Sequence, residues 1–262
     1  MKNIFLDKNI IVTGGASGIG EALVTKLLAF GANVVVVGRS PQYDGAATYF
    51  QADMSVQDEA TEVFDTIIAE LSTIDYVINS AGMFMGGEIR DTPLEKWHSV
   101  MDNNIYAISH GAQLAYLQMI TQGHGHIVNI ASTAGLIPVP AMGIYGATKY
   151  ALVGLSHAMR NEASDLGVKV SVACPTIVNT PLYDTALYNH LDKQRLLKPR
   201  KNLQTPDVAA DKILKGIIKN KATIHTAFAT KSIWGLYRLS PGLYDIVARR
   251  IMRKYRSDYR VV

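Results

Sequence analysis

Between residues 9 and 37 an apolar run, a glycine-rich turn, a helix with one apolar face and a second apolar run follow one another. That succession constrains the fold of this 262-residue chain more than any other feature. Asn9 to Thr13 reads as a strand that passes directly into Gly14, and Val34 to Val37 is a run of four valines. Between them Ile19, Ala22, Leu23, Leu27 and Phe30 recur at helical spacing. Strands that are apolar throughout suit a parallel sheet covered on both faces. The segment is one βαβ unit.

The alternation continues through strand 47–51, helix 55–71, strand 76–79, a long or broken helical stretch 94–122, strand 126–131, helix 144–166 and strand 168–174, closed by Pro175. This order predicts an α/β fold, a Rossmann-like, doubly wound, mostly parallel sheet with helices on both faces, in a single domain. Residues 1–227 would form it. Segment 181–204, polar and tyrosine-containing, is a candidate substrate lid that carries Lys198-Pro199-Arg200-Lys201. Thr205-Pro206-Asp207 has the form of a helix cap and opens a helix over 205–219.

Composition narrows the function. With 48% apolar and 18% charged residues the chain is expected to fold around a large core. Its first residues lack the small-residue cleavage site of a secretory signal, and no stretch approaches the roughly 18 apolar residues needed to span a bilayer. Cys174 stands alone and cannot form an internal disulfide, so a cytoplasmic location is expected. Residues 228–262 hold eight Lys/Arg against two Asp/Glu, a net +6, which leaves −2 on residues 1–227. The main domain therefore has no basic face to assign, and no nucleic-acid partner is expected.

Thr13-Gly14-Gly15-Ala16-Ser17-Gly18-Ile19-Gly20 lies where a strand hands over to a helix. There, backbone N–H groups and the helix dipole favour a pyrophosphate, and glycines allow close approach. The spacing is one residue longer than the commonest dinucleotide fingerprint, and a purely structural tight turn is the alternative. After the second strand, Gly38-Arg39-Ser40 offers no carboxylate to a ribose diol but a guanidinium to a 2′-phosphate. NADP(H) is favoured over NAD(H), with a solvated Arg39 stacked on adenine as the alternative.

Tyr145 and Lys149 stand four apart at the start of a predicted helix, on one face. A nearby ammonium favours the phenolate and brings a tyrosine pKa of about 10 toward neutrality. Alone, the pair reads first as an exposed contact on a helix surface. Ser132 follows an apolar strand at the same sheet edge, where its hydroxyl could hydrogen-bond a carbonyl oxygen. His124 and His126 lack a third ligand at metal spacing, and no metal is expected.

These motifs, with Asn79-Ser80-Ala81-Gly82 after the fourth strand, Tyr145-Gly146-Ala147-Thr148-Lys149, and Pro175 after the sixth, resemble the classical short-chain dehydrogenase/reductase family over about residues 5–220. The resemblance implies hydride transfer between a nicotinamide cofactor and a carbonyl or alcohol. It gives Ser132 the polarising role, Tyr145 the acid/base role, and Lys149 the lowering of the tyrosine pKa together with the nicotinamide ribose. Asn104 would hold a water leading from Lys149, and the neighbouring Asn103 would be structural. The pyrophosphate would meet Gly14, Ser17, Gly18, Ile19 and Gly20; adenine, Asp53 and Met54; its ribose, Asn79, Ala81 and Gly82; and the nicotinamide end, Pro175, Ile177 and Thr180. Asp53 could equally cap a helix. Ser80 stands where a second asparagine is usual and Thr176 where glycine is, which puts the contacts of residues 176–180 in doubt. A homodimer or homotetramer through helices 94–122 and 144–166 is also implied.

Substrate walls are expected from residues 83–90, 136–142 and 181–201, whose Leu136, Ile137, Val139, Met142, Leu182 and Leu187 suggest a largely apolar substrate. In the tail, Leu243, Ile246, Val247, Ile251 and Tyr255 recur at helical spacing, with Arg249, Arg250, Arg253, Lys254 and Arg256 mostly elsewhere around the helix. Such a basic amphipathic extension, 228–262, either docks on the domain or a sister subunit or meets the inner face of an anionic membrane with Trp234 and Tyr237 at the interface. An epimerase or dehydratase, and a non-catalytic NADP-sensing or scaffold protein, are competing readings on the same fold.

Overall fold

The computed structural model describes residues 1–192 and 203–260. Seven strands, β1 Asn9–Thr13, β2 Asn33–Gly38, β3 Thr48–Gln51, β4 Tyr76–Asn79, β6 Gly125–Ile130, β7 Val168–Cys174 and β9 Thr223–His225, form one sheet in the order β3-β2-β1-β4-β6-β7-β9. Every pairing in it is parallel. β5 Met85–Gly86 and β8 Leu187–Tyr188 pair apart from it. The strand order reverses between β1 and β4, and the crevice at the carboxyl ends there is where open α/β sheets take ligands.

The strands are apolar throughout because both faces are covered. Ile10, Val12, Val34 and Val36 join one core with Leu23 and Leu27 of α2 (Gly18–Ala29) and Ile213 and Leu214 of α7 (Pro206–Ile218). Their neighbours Ile11, Val35 and Val37 point the other way, into a core with Phe64 and Ile67 of α3 (Gln57–Leu71) and Met119 of α5 (Ala107–Gln122). Successive side chains alternate across the sheet, and each finds a helix. No helix among the described residues is long and apolar enough to cross a membrane.

The expected elements are present with shifted ends, and three features were not anticipated. β9 is three residues long at the sheet edge, too short for a periodic signal. The stretch 94–122 takes the broken form of the two expected, but the manner of the break was not foreseen: α4 (Leu94–Met101) passes through one π turn, Asp102–Tyr106, into α5. α6 (Gly143–Glu162) is intact, and Thr205 caps α7 by accepting from the Val208 N–H at 3.3 Å.

The third is the way the tail docks on the domain: α8 (Phe228–Leu239) packs at the β7 and β9 edge and α9 (Pro241–Tyr259) packs on α8 and on the loops that carry Glu88 and Pro138. Its docking reverses the expected faces. Leu243, Ile246, Val247 and Ile251 are exposed, whereas Tyr244 is buried and donates to the Pro138 carbonyl at 2.6 Å. Arg256 and Arg260 are not free solvated cations: they grip the Glu88 carboxylate at 2.7 and 3.1 Å, and Arg260 also holds Asp91. Trp234, expected at a membrane interface, packs instead on His225, with ring centroids 5.4 Å apart. The Lys198–Lys201 stretch of the expected lid lies outside the described residues.

Of the two histidines in the Gly-His-Gly-His turn, His126 is buried. Ser171 Oγ already donates to the Lys221 carbonyl, so His126 Nε2–H is the donor to that Oγ at 2.8 Å. Burial, helped by Lys169 and Arg160, pushes the imidazole down to about 3 from its usual 6.5. The unfolded chain therefore takes up a proton that the folded one refuses, and stability should fall as pH drops from about 6.5 toward 3. Urea midpoints across that range should show the slope, and His126→Gln should flatten it; an unchanged slope in the variant would assign the acid sensitivity elsewhere.

Candidate active site

The glycine turn shapes the floor of the crevice. Gly14 has φ +66°, and a Cβ on it would lie 2.7 Å from the Ala81 backbone, so only glycine lets the ends of β1 and β4 approach this closely. Gly18 has φ +57°, and the direction its Cβ would take is toward the Thr180 methyl at 3.1 Å. Ser17 precedes α2 in extended conformation, and its hydroxyl makes no capping bond to the helix. The first N–H groups of α2 have no partner within the helix and face the crevice as anion donors.

The groups expected to carry chemistry meet at the other end. Ser132 begins a 3-10 turn after β6, and its Oγ accepts from the Ala134 N–H at 3.2 Å. Tyr145 and Lys149, in the first two turns of α6, are both buried, at 7% and 4% exposure. The Tyr145 hydroxyl lies close to Ser132, which favours its ionised form. Lys149 Nζ donates to the Ile130 carbonyl at 3.3 Å and lies 5.6 Å from the Tyr145 ring centroid. Burial dominates both: it pushes the Tyr145 phenol up to about 12, with Ser132 pulling the other way, and the Lys149 ammonium down to about 8. The lowering influence on the tyrosine comes from Ser132 rather than from the ammonium, and desolvation exceeds it. The adjacent Cys174 thiol is likewise raised to about 12 by burial and is inert.

Asn104 lies in the π turn, fully buried. Its Oδ1 accepts from the Met83 N–H at 2.7 Å and its Nδ2 donates to the Met83 carbonyl and the Thr148 hydroxyl. The amide is a clamp on the loop after β4, and Asn103 bonds back to Ser99.

A cleft of about 400 Å³ is lined by Gly14, Ser17, Gly18, Ile19, Arg39, Ala81, Gly82, Ser132, Tyr145, Lys149, Pro175 and Thr180, all expected from sequence. Asn104 stands behind it and Gly20 backs onto the Gly14 carbonyl. Other expected residues point elsewhere. The Asn79 side chain runs under the sheet, donating to Asn129 at 2.9 Å, with its Oδ1 against Gly111. Asp53 accepts from the Ser55 N–H and hydroxyl in the turn before α3 and does not cap the helix, whose N-cap is Val56, while standing 3.8 Å from Arg39. Met54 is buried and its carbonyl faces His110. Ile177 lines a different cavity. Ser80, Met83, Thr176, Val178, Tyr183 and Thr185 also wall the cleft; Ser80 and Thr176 carried a signal, as departures from the motifs.

That second cavity, about 910 Å³, adjoins the cleft at Thr180, Pro181 and Tyr183. Phe84 divides them, its ring 5.0 Å from that of Tyr145 and 5.1 Å from that of Tyr183. Of the expected apolar wall, Val139 and Met142 line the larger cavity and Leu182 the cleft, whereas Leu136, Ile137 and Leu187 are packed in the protein interior. The chemistry belongs to the smaller space, which holds Ser132, Tyr145 and Lys149.

Residues 8–189 match the family model described as short chain dehydrogenase. The chain is 35% identical over 184 residues to an uncharacterized oxidoreductase of Staphylococcus epidermidis, covering 67% of this chain and 80% of the relative. A short-chain dehydrogenase/reductase from Burkholderia phymatum in complex with NAD superposes with a TM-score of 0.80 at 24% identity, over 91% of this chain and 95% of that one. ElxO with NADP bound does so at 0.72 and 23%, over 86% and 100%. The chain belongs to the short-chain dehydrogenase family of oxidoreductases.

A buried ammonium with one carbonyl partner burdens the fold. Lys149→Met should raise the thermal midpoint of the cofactor-free protein while removing turnover. A lowered midpoint would mean that the lysine stabilises the site it occupies.

Proposed function

We propose that the protein reduces a carbonyl, or oxidises the corresponding alcohol, of a largely apolar substrate with NADP(H). The convergence of Ser132, Tyr145 and Lys149 on one cleft that begins at the glycine turn carries this reading. The residues suit a dinucleotide: the Gly14–Ala81 approach leaves backbone at the floor, the start of α2 offers N–H donors, and Arg39, its side chain 61% exposed, reaches the region of an adenosine 2′-phosphate. Asp53 and Met54 border the adenine end and Ile177 the nicotinamide end.

Bound there, NADPH would supply the hydride that reaches the carbonyl carbon. Ser132 Oγ–H donates to the carbonyl oxygen and Tyr145 gives it a proton as negative charge develops. Lys149 holds the nicotinamide ribose, and Asn104 fixes the loop against which Lys149 lies. A phenol held at about 12 is protonated at neutral pH, so the reductive direction has its acid ready and the oxidative direction gains rate only as the medium becomes alkaline. We place the protein in the cytoplasm as a homodimer or homotetramer.

NADPH oxidation against a panel of aldehydes and ketones tests the reading. Tyr145→Phe should lower turnover by at least about 100-fold with NADPH binding retained. Arg39→Glu should raise KM for NADPH by roughly tenfold and leave NADH nearly unaffected. Tight NADPH binding without turnover of any member of the panel would support a sensing or scaffold role instead.

One observation favours an additional peripheral role at an anionic membrane: Leu239, 89% exposed, and Leu243, Ile246 and Val247 present an apolar strip beside Arg249 and Arg250. Co-sedimentation with anionic vesicles at low salt, lost in Ile246→Glu, is expected. Its absence in the parent protein removes the membrane and leaves the strip to a sister subunit.

A further inference from the structure

The larger cavity has a roof that comes from the tail, beyond the residues that match the family model. Ile251, Lys254, Tyr255 and Tyr259 of α9 close it over Phe84, Val139, Met142 and Tyr188. The roof is fixed at both ends. Tyr244 is pinned to Pro138, which immediately precedes Val139 on the lining. Arg256 and Arg260 are clamped to Glu88, a side chain only 9% exposed that also receives Arg90, and the arginines hold its carboxyl below the usual range. A carboxylate with three guanidinium partners and a buried tyrosine hydroxyl bond make α9 a permanent wall.

The wall is chemically lopsided. The cavity lining is mostly aromatic and aliphatic, with Asn179, Thr180 and Thr205 as its uncharged polar side chains apart from the tyrosines, and two charged side chains reach it, Asp184 and Lys254. Asp184 is already engaged. Lys254 makes no ion pair among the described residues and stands two residues before Arg256 of the Glu88 clamp, on an exposed position at the rim. A volume of about 910 Å³ lies at the upper end of small-molecule sites and far exceeds what a small ketone would fill. Cavity and cleft share Thr180, Pro181 and Tyr183 in their walls, and the Phe84 ring that stands between them lies against Tyr145, so one end of a molecule in the cavity would lie close to the cleft.

We propose that α9 selects the substrate: an extended apolar molecule whose body fills the cavity under α9, whose carbonyl passes Phe84 to Tyr145, and whose far end carries an anionic group paired with Lys254. This rests on the reductase reading for the carbonyl end, while the cavity and Lys254 are tested separately. The probe is dodecanoate, kept where it is monomeric, measured by titration calorimetry, with dodecanol as the neutral counterpart.

One dodecanoate per chain is expected, with affinity above that of dodecanol. Lys254→Glu should weaken dodecanoate at least about fivefold and leave dodecanol unchanged. Ile251→Trp, a rim position that is 52% exposed, should weaken both by filling the space. In kinetics, 12-oxododecanoate should be preferred over dodecanal, and Lys254→Glu should erase the preference through KM while reduction of benzaldehyde continues. Benzaldehyde reduction with no saturable dodecanoate binding, or binding indifferent to both variants, overturns the proposal and leaves the reductase standing. Lys254-dependent dodecanoate binding in a protein that reduces nothing upholds the cavity assignment and defeats the reductase reading. Many dodecanoates per chain would place the amphiphile on the outer apolar strip and overturn the proposal.

Discussion

Holding a lysine ammonium at 4% exposure, with a tyrosine beside it, is the constraint to which the rest of this molecule answers. Desolvation works against both charged forms, so the position must be enforced by structure around it. Gly135 lies directly against the Lys149 carbonyl, which brings the Ser132 turn onto α6. On the other side the π turn swings Asn104 toward Met83 and Thr148 and ties the loop after β4 to the same helix. An unbroken α-helix over 94–122 would present a different set of side chains to α6. The π turn occurs where the site needs Asn104, in keeping with the concentration of such bulges at functional sites.

α6 and the loop that leads into it serve two spaces with different demands, the helix the cleft and residues 139–142 the larger cavity. The cleft sits at the carboxyl ends of central strands, whose positions are fixed by two packed cores, and its backbone approaches allow no tolerance. The larger cavity is built from loops and from the tail, elements that converge only through long-range contacts such as Glu88 with Arg256, 168 residues apart. Local packing near Tyr145 and long-range assembly beyond Phe84 are the two sides of that division. A fold can keep its proton chemistry while its substrate is decided by an added helix.

Legibility in the sequence divides along the same line. β1, β2, the glycine turn, α2 and the Tyr145–Lys149 pair are local patterns, and they stand where periodicity put them. β9 was missed because three residues carry no period, and the π turn because it preserves helical composition while changing one hydrogen-bond register. Asn79 is instructive: its backbone belongs to the motif at the crevice, but strand alternation sends its side chain beneath the sheet toward Asn129. A motif assigns a segment to a site, and the pleat then decides which of its side chains arrive.

The tail shows a further limit. A helical apolar strip declares that something apolar will be covered, yet it does not say by what, and the folded chain covers α9 with its opposite side. Tyr244, Arg256 and Arg260 win the docking because each meets a specific partner: a carbonyl at the edge of the cavity and a carboxylate withdrawn from water. Withdrawn as it is, Glu88 would be an uncompensated buried charge without them. Its pairing therefore sets the orientation of α9 about its own axis, and that orientation puts Tyr255 and Tyr259 over the cavity while turning Leu243, Ile246 and Val247 to the outside. One buried carboxylate thereby determines both which side chains roof the cavity and which stay exposed.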